Sequence, residues 1–305
     1  MRAQIKWVVP AVLLLILVVV YLWPIPRVPF TEVYDQVDAS ASQSLVSFRQ
    51  LFPPQKMKVD GAAWEYIAAG QGEQAIVFLH GMTGAYDIWW QQIGALKDHY
   101  HIIAVTYPPV HSLEELERGL LVILNKENVT HFNLVGTSLG GYFAQYLVAR
   151  HPQMITKAVF ANTFPPNDLI AEENRTIGAL LPFLPEWLVI SVLRGSFEQS
   201  IYPTSGNDEL TLAFLNEVGY GRMTKSQVVG RYRCVIEKFD QPDPAMPVMI
   251  LESDNDPLVD LVLREQLRAA YPEAAVHTFS AAGHFPYLNR AEEYTRLLDE
   301  FFSMP

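Results

Sequence analysis

Residues 135–141 read Val-Gly-Thr-Ser-Leu-Gly-Gly, a G-x-S-x-G pattern formed by Gly136, Ser138 and Gly140. The pattern recurs by chance, but here an apolar run, Phe132–Val135, precedes it and a helix-like run, Leu139–Arg150, follows it. A serine on such a strand-to-helix turn is held in a strained backbone and exposed at a helix N-terminus, with Gly136, Gly140 and Gly141 leaving room around it. A hydroxyl is a weak nucleophile until a base takes its proton and an acid orients that base. Where serine occupies such a turn on a parallel sheet, the acid and then the histidine follow it along the chain. Of the eight histidines, His284 is the one between the last strand-like run and the last helix-like run, and it is the expected base. The acid lies in Glu252–Val259, where Asp256, just before Pro257, and Asp254 are the candidates. An oxyanion needs two backbone donors, expected at Leu139 N–H and at Met82 N–H in the loop Leu79-His80-Gly81-Met82-Thr83-Gly84. His80 and Gly81 then support that loop. Metal binding by His80 is not expected, because no second ligand type recurs at ligand spacing. Chemistry of this kind requires no cofactor.

Those groups need a scaffold. Short apolar runs at Trp64–Ala68, Ala75–Leu79, His101–Thr106, Phe132–Val135, Val159–Ala161, Val248–Leu251 and Ala275–Phe279 read as strands. Leu113–Asn125, Leu139–Arg150, Val259–Ala270 and Ala291–Phe302 read as helices, the first behind a capping box of Ser112 and Glu115. Alternation of this kind predicts an α/β fold, a mostly parallel sheet with helices on both faces. Residues 164–243 break the alternation with helical patterns alone and read as a helical cap over the carboxyl ends of the strands, inserted between core segments 56–163 and 244–305. Within the cap, Thr224 and Gln227 form a second capping box ahead of a helix carrying Tyr232 and Cys234. Leu180–Leu193 is nearly all apolar, which suits either a helix packed on the core or the lining of an acyl pocket near the bilayer that favours lipid-like esters.

The 305 residues, half of them apolar, are ample for a large core. A net charge of −11 gives nucleic acid binding little electrostatic support. One cysteine, Cys234, excludes an internal disulfide framework, and burial as a small apolar side chain is its expected role. Asn128 and Asn174 match the glycosylation triplet, a pattern that is frequent by chance.

From Trp7 to Trp23 the chain is uncharged and rich in Val, Leu and Ile, between Arg2 and Lys6 on one side and Arg27 on the other. Residues 1–25 therefore read as a transmembrane anchor, with Trp7, Tyr21 and Trp23 at interfacial depth. A cleaved signal peptide fits less well, since Pro24-Ile25-Pro26 stands where small residues should be. Charge balance across the segment places the N-terminus in the cytoplasm and the rest of the chain outside. Residues 26–55 read as a stem.

Taken together, the elbow, the His80-Gly81 loop and the acid and histidine positions make residues 60–303 resemble an α/β-hydrolase. Asp256 matches the G-x-x-D position of related hydrolases, with Ser253 in place of the glycine. More narrowly, the chain resembles the maspardin branch through Val105-Thr106-Tyr107-Pro108-Pro109, Gly136–Gln145, Ala161-Asn162-Thr163-Phe164, Leu193–Phe197 and Gly283–Leu288. That resemblance implies the hydrolase fold and raises an adaptor role, since animal maspardins look to have lost parts of the catalytic set. This chain departs from them by carrying Asp256, His284 and His80-Gly81 together, which favours an enzyme. The expectation is a membrane-anchored serine hydrolase acting on an ester or thioester. A noncatalytic adaptor and an acyltransferase using the same residues are the alternatives.

Overall fold

Runs of Val, Ile, Phe and Ala too short for helices become the strands of a single sheet, and the computed structural model describes them within residues 2–304, with side chains from residue 9 onward. The strands are β1 (Gln55–Val59), β2 (Ala62–Ala69), β3 (Gln74–Leu79), β4 (Tyr100–Thr106), β5 (Phe132–Thr137), β6 (Ile155–Ala161), β7 (Val248–Ser253) and β8 (Ala275–Phe279). Their order is β1-β2-β4-β3-β5-β6-β7-β8, antiparallel across β1-β2-β4 and parallel from β4 to β8. Seven of these match the apolar runs in the sequence. β1, Gln-Lys-Met-Lys-Val, has no counterpart among them, because an edge strand facing water on most positions carries no apolar run to announce it.

Alternation along each strand divides the core in two. Ile76 and Phe78 of β3 with Ile102 and Ala104 of β4 pack on one face, and Val77, Leu79, Ile103 and Val105 pack on the other. This is what burial on both faces requires of a parallel sheet.

Three helices precede the sheet: α1 (Arg2–Tyr21), α2 (Phe30–Val33) and α3 (Ala39–Leu51). The described side chains of α1 are exposed. Among the described residues no helix is long and apolar enough to cross a membrane. Arg2, Lys6 and Trp7, on which the expected flanking charge and one interfacial indole rest, lie outside the residues whose side chains are described.

The segment expected to be a stem is instead docked structure. Asp38 caps α3 by accepting from Ser40 N–H and Ala41 N–H, and Tyr34, Leu45 and Phe48 are buried against the core. Composition conceals it, because four serines in α3 dilute its apolar stripe. Arg49 of α3 donates to Asp87, which follows β3, at 2.7 Å and to Glu217 of the cap at 2.8 Å, while Arg222 of the cap donates to Asp87 at 2.7 Å. Tyr34 O–H donates to Glu217 at 2.7 Å. Asp87 is 0% exposed, so this cluster joins the N-terminal segment, core and cap through a buried carboxylate. Asp87→Ala should leave Arg49 and Arg222 sharing Glu217 alone, at 2.8 and 3.4 Å, and chemical denaturation is expected to show a loss of about 1.5–3 kcal/mol.

The core continues with α4 (Trp90–Leu96), α5 (Leu113–Lys126) and α6 (Leu139–Arg150). Between β6 and β7 stand only helices: α7 (Leu169–Glu173), α8 (Arg175–Leu180), α9 (Glu186–Ser196), α10 (Tyr202–Thr204), α11 (Glu209–Glu217) and α12 (Lys225–Ile236), with short 3-10 and π turns among them. The Thr224–Gln227 capping box forms in full at α12. At α5 only half of the expected box forms: Ser112 accepts from Glu115 N–H, whereas the Glu115 carboxylate accepts from His111 N–H. The chain ends with α13 (Leu261–Ala270), α14 (Pro286–Asn289) and α15 (Ala291–Ser303).

Connections leaving β3 and β5 run to opposite sides of the sheet, and Leu79 is paired with Gly136. Their loops therefore begin side by side at a crevice where such sheets bind ligands.

Candidate active site

Ser138 sits between the last residue of β5 and the first of α6 with φ 54° and ψ −122°. A side chain there costs of order 1–3 kcal/mol, so the neighbourhood must impose it. Ser138 N–H donates to Ala161 O at 3.0 Å, and Ser138 O accepts from Thr163 Oγ1 at 2.7 Å and Tyr142 N–H at 2.9 Å. The turn closes tightly: a Cβ on Gly136 would stand 2.1 Å from Gly140 O, and one on Gly140 would stand 2.1 Å from Leu79 O. The serine is partly exposed and stands at the amino end of α6.

The other two residues meet where β7 and β8 end. His284 Nδ1 lies 2.9 Å from Asp256 Oδ1 and 2.8 Å from Asp256 Oδ2, both side chains being buried. Asp256 Oδ1 also accepts from Leu258 N–H at 2.8 Å and Val259 N–H at 3.1 Å. Burial opposes its charge, but the His284 ring, its hydrogen bond, Asn162 and Leu258 N–H together hold the Asp256 carboxyl below the usual carboxylate range. Asp254, the other candidate acid, points away from the histidine: it accepts from Ser280 Oγ and Ala281 N–H and fixes the turn after β8. The cap of α13 is Asp260, which accepts from Leu263 N–H, and the helix starts two residues later than its periodicity suggests. Among the described residues no hydrogen bond joins Ser138 Oγ to His284.

The loop after β3 comes up against the serine. A Cβ on Gly81 would lie 3.1 Å from Ser138 Cβ and 3.7 Å from its Oγ, so glycine keeps the hydroxyl clear. Tyr107 N–H can only donate, and it points at His80 Nε2 at 3.2 Å, so the His80 proton is on Nδ1, which donates to Gly81 O at 2.6 Å. Gly84 N–H donates to the same carbonyl at 3.2 Å. The peptide plane carrying Met82 N–H is thereby fixed through its own oxygen. Leu139 begins α6, so its N–H has no intrahelical acceptor. Two backbone donors at a switch point, beside a strained serine, can receive negative charge developing on a carbonyl oxygen.

A family model described as alpha/beta hydrolase fold matches residues 74–233, more than half of the 305-residue chain. The chain belongs to that family. Mouse (Mus musculus) maspardin is 24% identical over 257 residues, covering 81% of this chain and 82% of maspardin. The pimeloyl-[acyl-carrier protein] methyl ester esterase of Vibrio vulnificus is 26% identical over 251 residues, 76% of this chain and 95% of the esterase. Among solved structures, the enol-lactonase of Burkholderia xenovorans superposes with a TM-score of 0.71 at 17% identity, covering 82% of this chain and all of that one, a likeness of fold.

In this α/β-hydrolase two residues outside the expected set complete the site. Asn162, at the end of β6 with φ 41°, donates through Nδ2 to Asp256 Oδ2 at 2.9 Å and bridges to Ser253 Oγ at 3.3 Å. It ties the end of β6 to the acid on the loop after β7. Arg231 of α12 is 2% exposed and, among its described partners, meets no carboxylate. Its Nη1 donates to Met82 O at 2.6 Å and Gly84 O at 3.2 Å, and its Nη2 donates to Tyr107 O at 2.9 Å. A cap residue thus clamps the loop that carries Met82. Burial pushes the guanidinium down to about 10.

His80 is held neutral. Burial and then the nearby Arg231 charge drive its pKa well below the usual imidazole value. The unfolded chain, with an imidazole pKa of about 6.5, binds that proton more readily, so stability from this residue is complete above that pH and is lost as pH falls toward the depressed folded value. Thermal melts should accordingly show a fall in Tm below about pH 6.5 that His80→Asn flattens.

A cavity of about 420 Å³ opens at Ser138, with Met82, Phe164, Tyr232, Val235 and Leu258 in its largely apolar wall. Cys234 is buried beside it in α12, its thiol pushed up to about 12 by burial, which removes it as a nucleophile. No group of three or more His, Cys, Asp or Glu side chains able to hold a metal occurs among the described residues.

Proposed function

We propose that the chain is a membrane-attached serine hydrolase that cleaves a carboxylic ester or thioester through an acyl-enzyme on Ser138. The observation that carries this reading is the Asp256–His284 pair, held at 2.8 Å at the same sheet edge as the strained serine. In the proposed sequence His284 Nε2 takes the Ser138 proton as Oγ attacks the carbonyl carbon, and the Met82 and Leu139 N–H groups receive the oxyanion. Collapse expels the alcohol or thiol with the proton from His284. Water, deprotonated by the same ring, then releases the acid and restores the hydroxyl. A serine–histidine contact that is loose without substrate commonly tightens when the reacting group is in place.

The wall around Ser138 is mostly apolar and its charged members, Glu173 and Asp260, are acidic, which suits a neutral acyl chain better than an anion. The apolar run from Trp7 to Trp23 supports attachment to a membrane, with the hydrolase on the side opposite the cytoplasmic N-terminus. Ser138→Ala is expected to reduce p-nitrophenyl acetate hydrolysis to background, and persistent turnover would remove Ser138 from the nucleophile's role. Product analysis with added alcohol separates hydrolysis from acyl transfer.

A further inference from the structure

The apolar run of the cap divides into two populations. Val189 and Ile190 of α9 are buried, as a packed helix requires, but Ile177 is 45% exposed, Leu180 50%, Phe183 75% and Val192 60%. Single exposed apolar side chains are ordinary, whereas several on adjoining helices mark a surface with a partner. Lys225 indicates which partner. Its Nζ donates to Pro182 O at 3.2 Å and Leu184 O at 2.8 Å, the two carbonyls flanking Phe183, and to Tyr21 O–H at 3.2 Å at the end of α1. Trp187 Nε1 donates to Val20 O at 2.7 Å. The protruding Phe183 is therefore fastened beside the aromatic end of the apolar N-terminal helix, where Trp23 is itself 60% exposed. Tyrosine, tryptophan and phenylalanine gathered next to an apolar helix form the belt expected at the depth of lipid headgroups.

That surface also borders the serine cavity. Asn174, between α7 and α8, lines the cavity, and Ile177 stands about one turn further along α8. Gly178 lets Tyr232, another cavity residue, lie directly against α8, since a Cβ there would meet its hydroxyl at 2.4 Å. One thin helix separates the exposed apolar surface from the wall of the pocket.

We propose that the cap surface formed by Ile177, Leu180 and Phe183 rests on a lipid bilayer, and that the substrate is a long-chain acyl ester or thioester drawn from that bilayer. This rests on the serine hydrolase reading and extends it to a substrate class and a docking surface. The full chain would be reconstituted in phosphatidylcholine vesicles carrying p-nitrophenyl palmitate, with p-nitrophenyl acetate supplied separately in solution. The double variant Leu180→Asp/Phe183→Asp is expected to lower kcat/KM on the vesicle-borne ester at least about tenfold while acetate turnover stays unchanged, and Phe183→Trp to preserve both. Undiminished palmitate turnover by the aspartate variant, or an equal fall on both esters, would overturn the docking surface. Failure of the unaltered protein to hydrolyse either ester would instead overturn the serine reading, so the two failures are distinct.

Discussion

Replacing Asp256 with asparagine is expected to lower kcat for p-nitrophenyl acetate about ten-thousandfold while leaving the protein folded. Asp256 accepts from four directions: His284 Nδ1, Asn162 Nδ2–H, Leu258 N–H and Val259 N–H. An amide has one oxygen to offer. If that oxygen serves the Leu258 and Val259 N–H groups, the new NH2 faces Asn162 and His284 and can only donate. The imidazole proton is then forced to Nε2, the nitrogen that must accept from Ser138. Asp254→Asn is the control, because that carboxylate holds the Ser280–Ala281 turn and should leave kcat nearly unchanged. A loss smaller than about tenfold in Asp256→Asn would assign the orienting role elsewhere.

Arg231→Met is expected to produce the second largest effect, a fall in kcat of about a hundredfold to a thousandfold, comparable to removing one oxyanion donor. The guanidinium reaches three carbonyls from inside the cap, those of Met82, Gly84 and Tyr107; Tyr107 O also accepts from Gln227 Nε2 at 3.0 Å, so methionine leaves the Met82 and Gly84 carbonyls of the loop without a donor. Each buried carbonyl left unpaired costs about 1–3 kcal/mol, which the loop can relieve only by moving. Movement there displaces Met82 N–H relative to the carbonyl carbon under attack, so kcat should fall more than KM rises. Arg231→Lys should recover part of the rate, since one ammonium cannot reproduce a planar fork across three acceptors. An unchanged kcat in a folded Arg231→Met protein would show that the cap clamp does not position the loop.

Arg231 also shows where reading the sequence stops. Ser138 is legible because its requirements are local: a strand, two glycines and a helix within a dozen residues. His284 and Asp256 are legible because the order along the chain and the ends of β7 and β8 limit the choices. Arg231 reaches a carbonyl 149 residues away, and in α12 it is one of several basic residues on a short helix, with nothing nearby to mark its head group as buried. Asn162 carries a weak signal, a polar residue directly after an apolar strand, but its bond to Asp256 spans 94 residues.

The same distinction explains the N-terminal region. Periodicity finds a helix when apolar residues repeat on one face, and α3 buries little beyond Leu45 and Phe48 among its serines. Its position depends on Arg49 finding Asp87 and Glu217, an arrangement that exists only once the core and cap are in place. The apolar content of Leu180–Leu193 is plain in the sequence, but which residues face the core and which face outward is decided by how α9 meets its neighbours.

In the proposed reaction Ser138 is the residue that bonds covalently to the acyl carbon. Incubation of the folded full-length chain with a fluorophosphonate, followed by peptide mass spectrometry, tests it most directly. The expected result is one phosphonyl adduct on the peptide containing Ser138, absent from heat-unfolded protein and from Ser138→Ala. An adduct on a different residue, or none on folded protein, would remove Ser138 from the nucleophile's place.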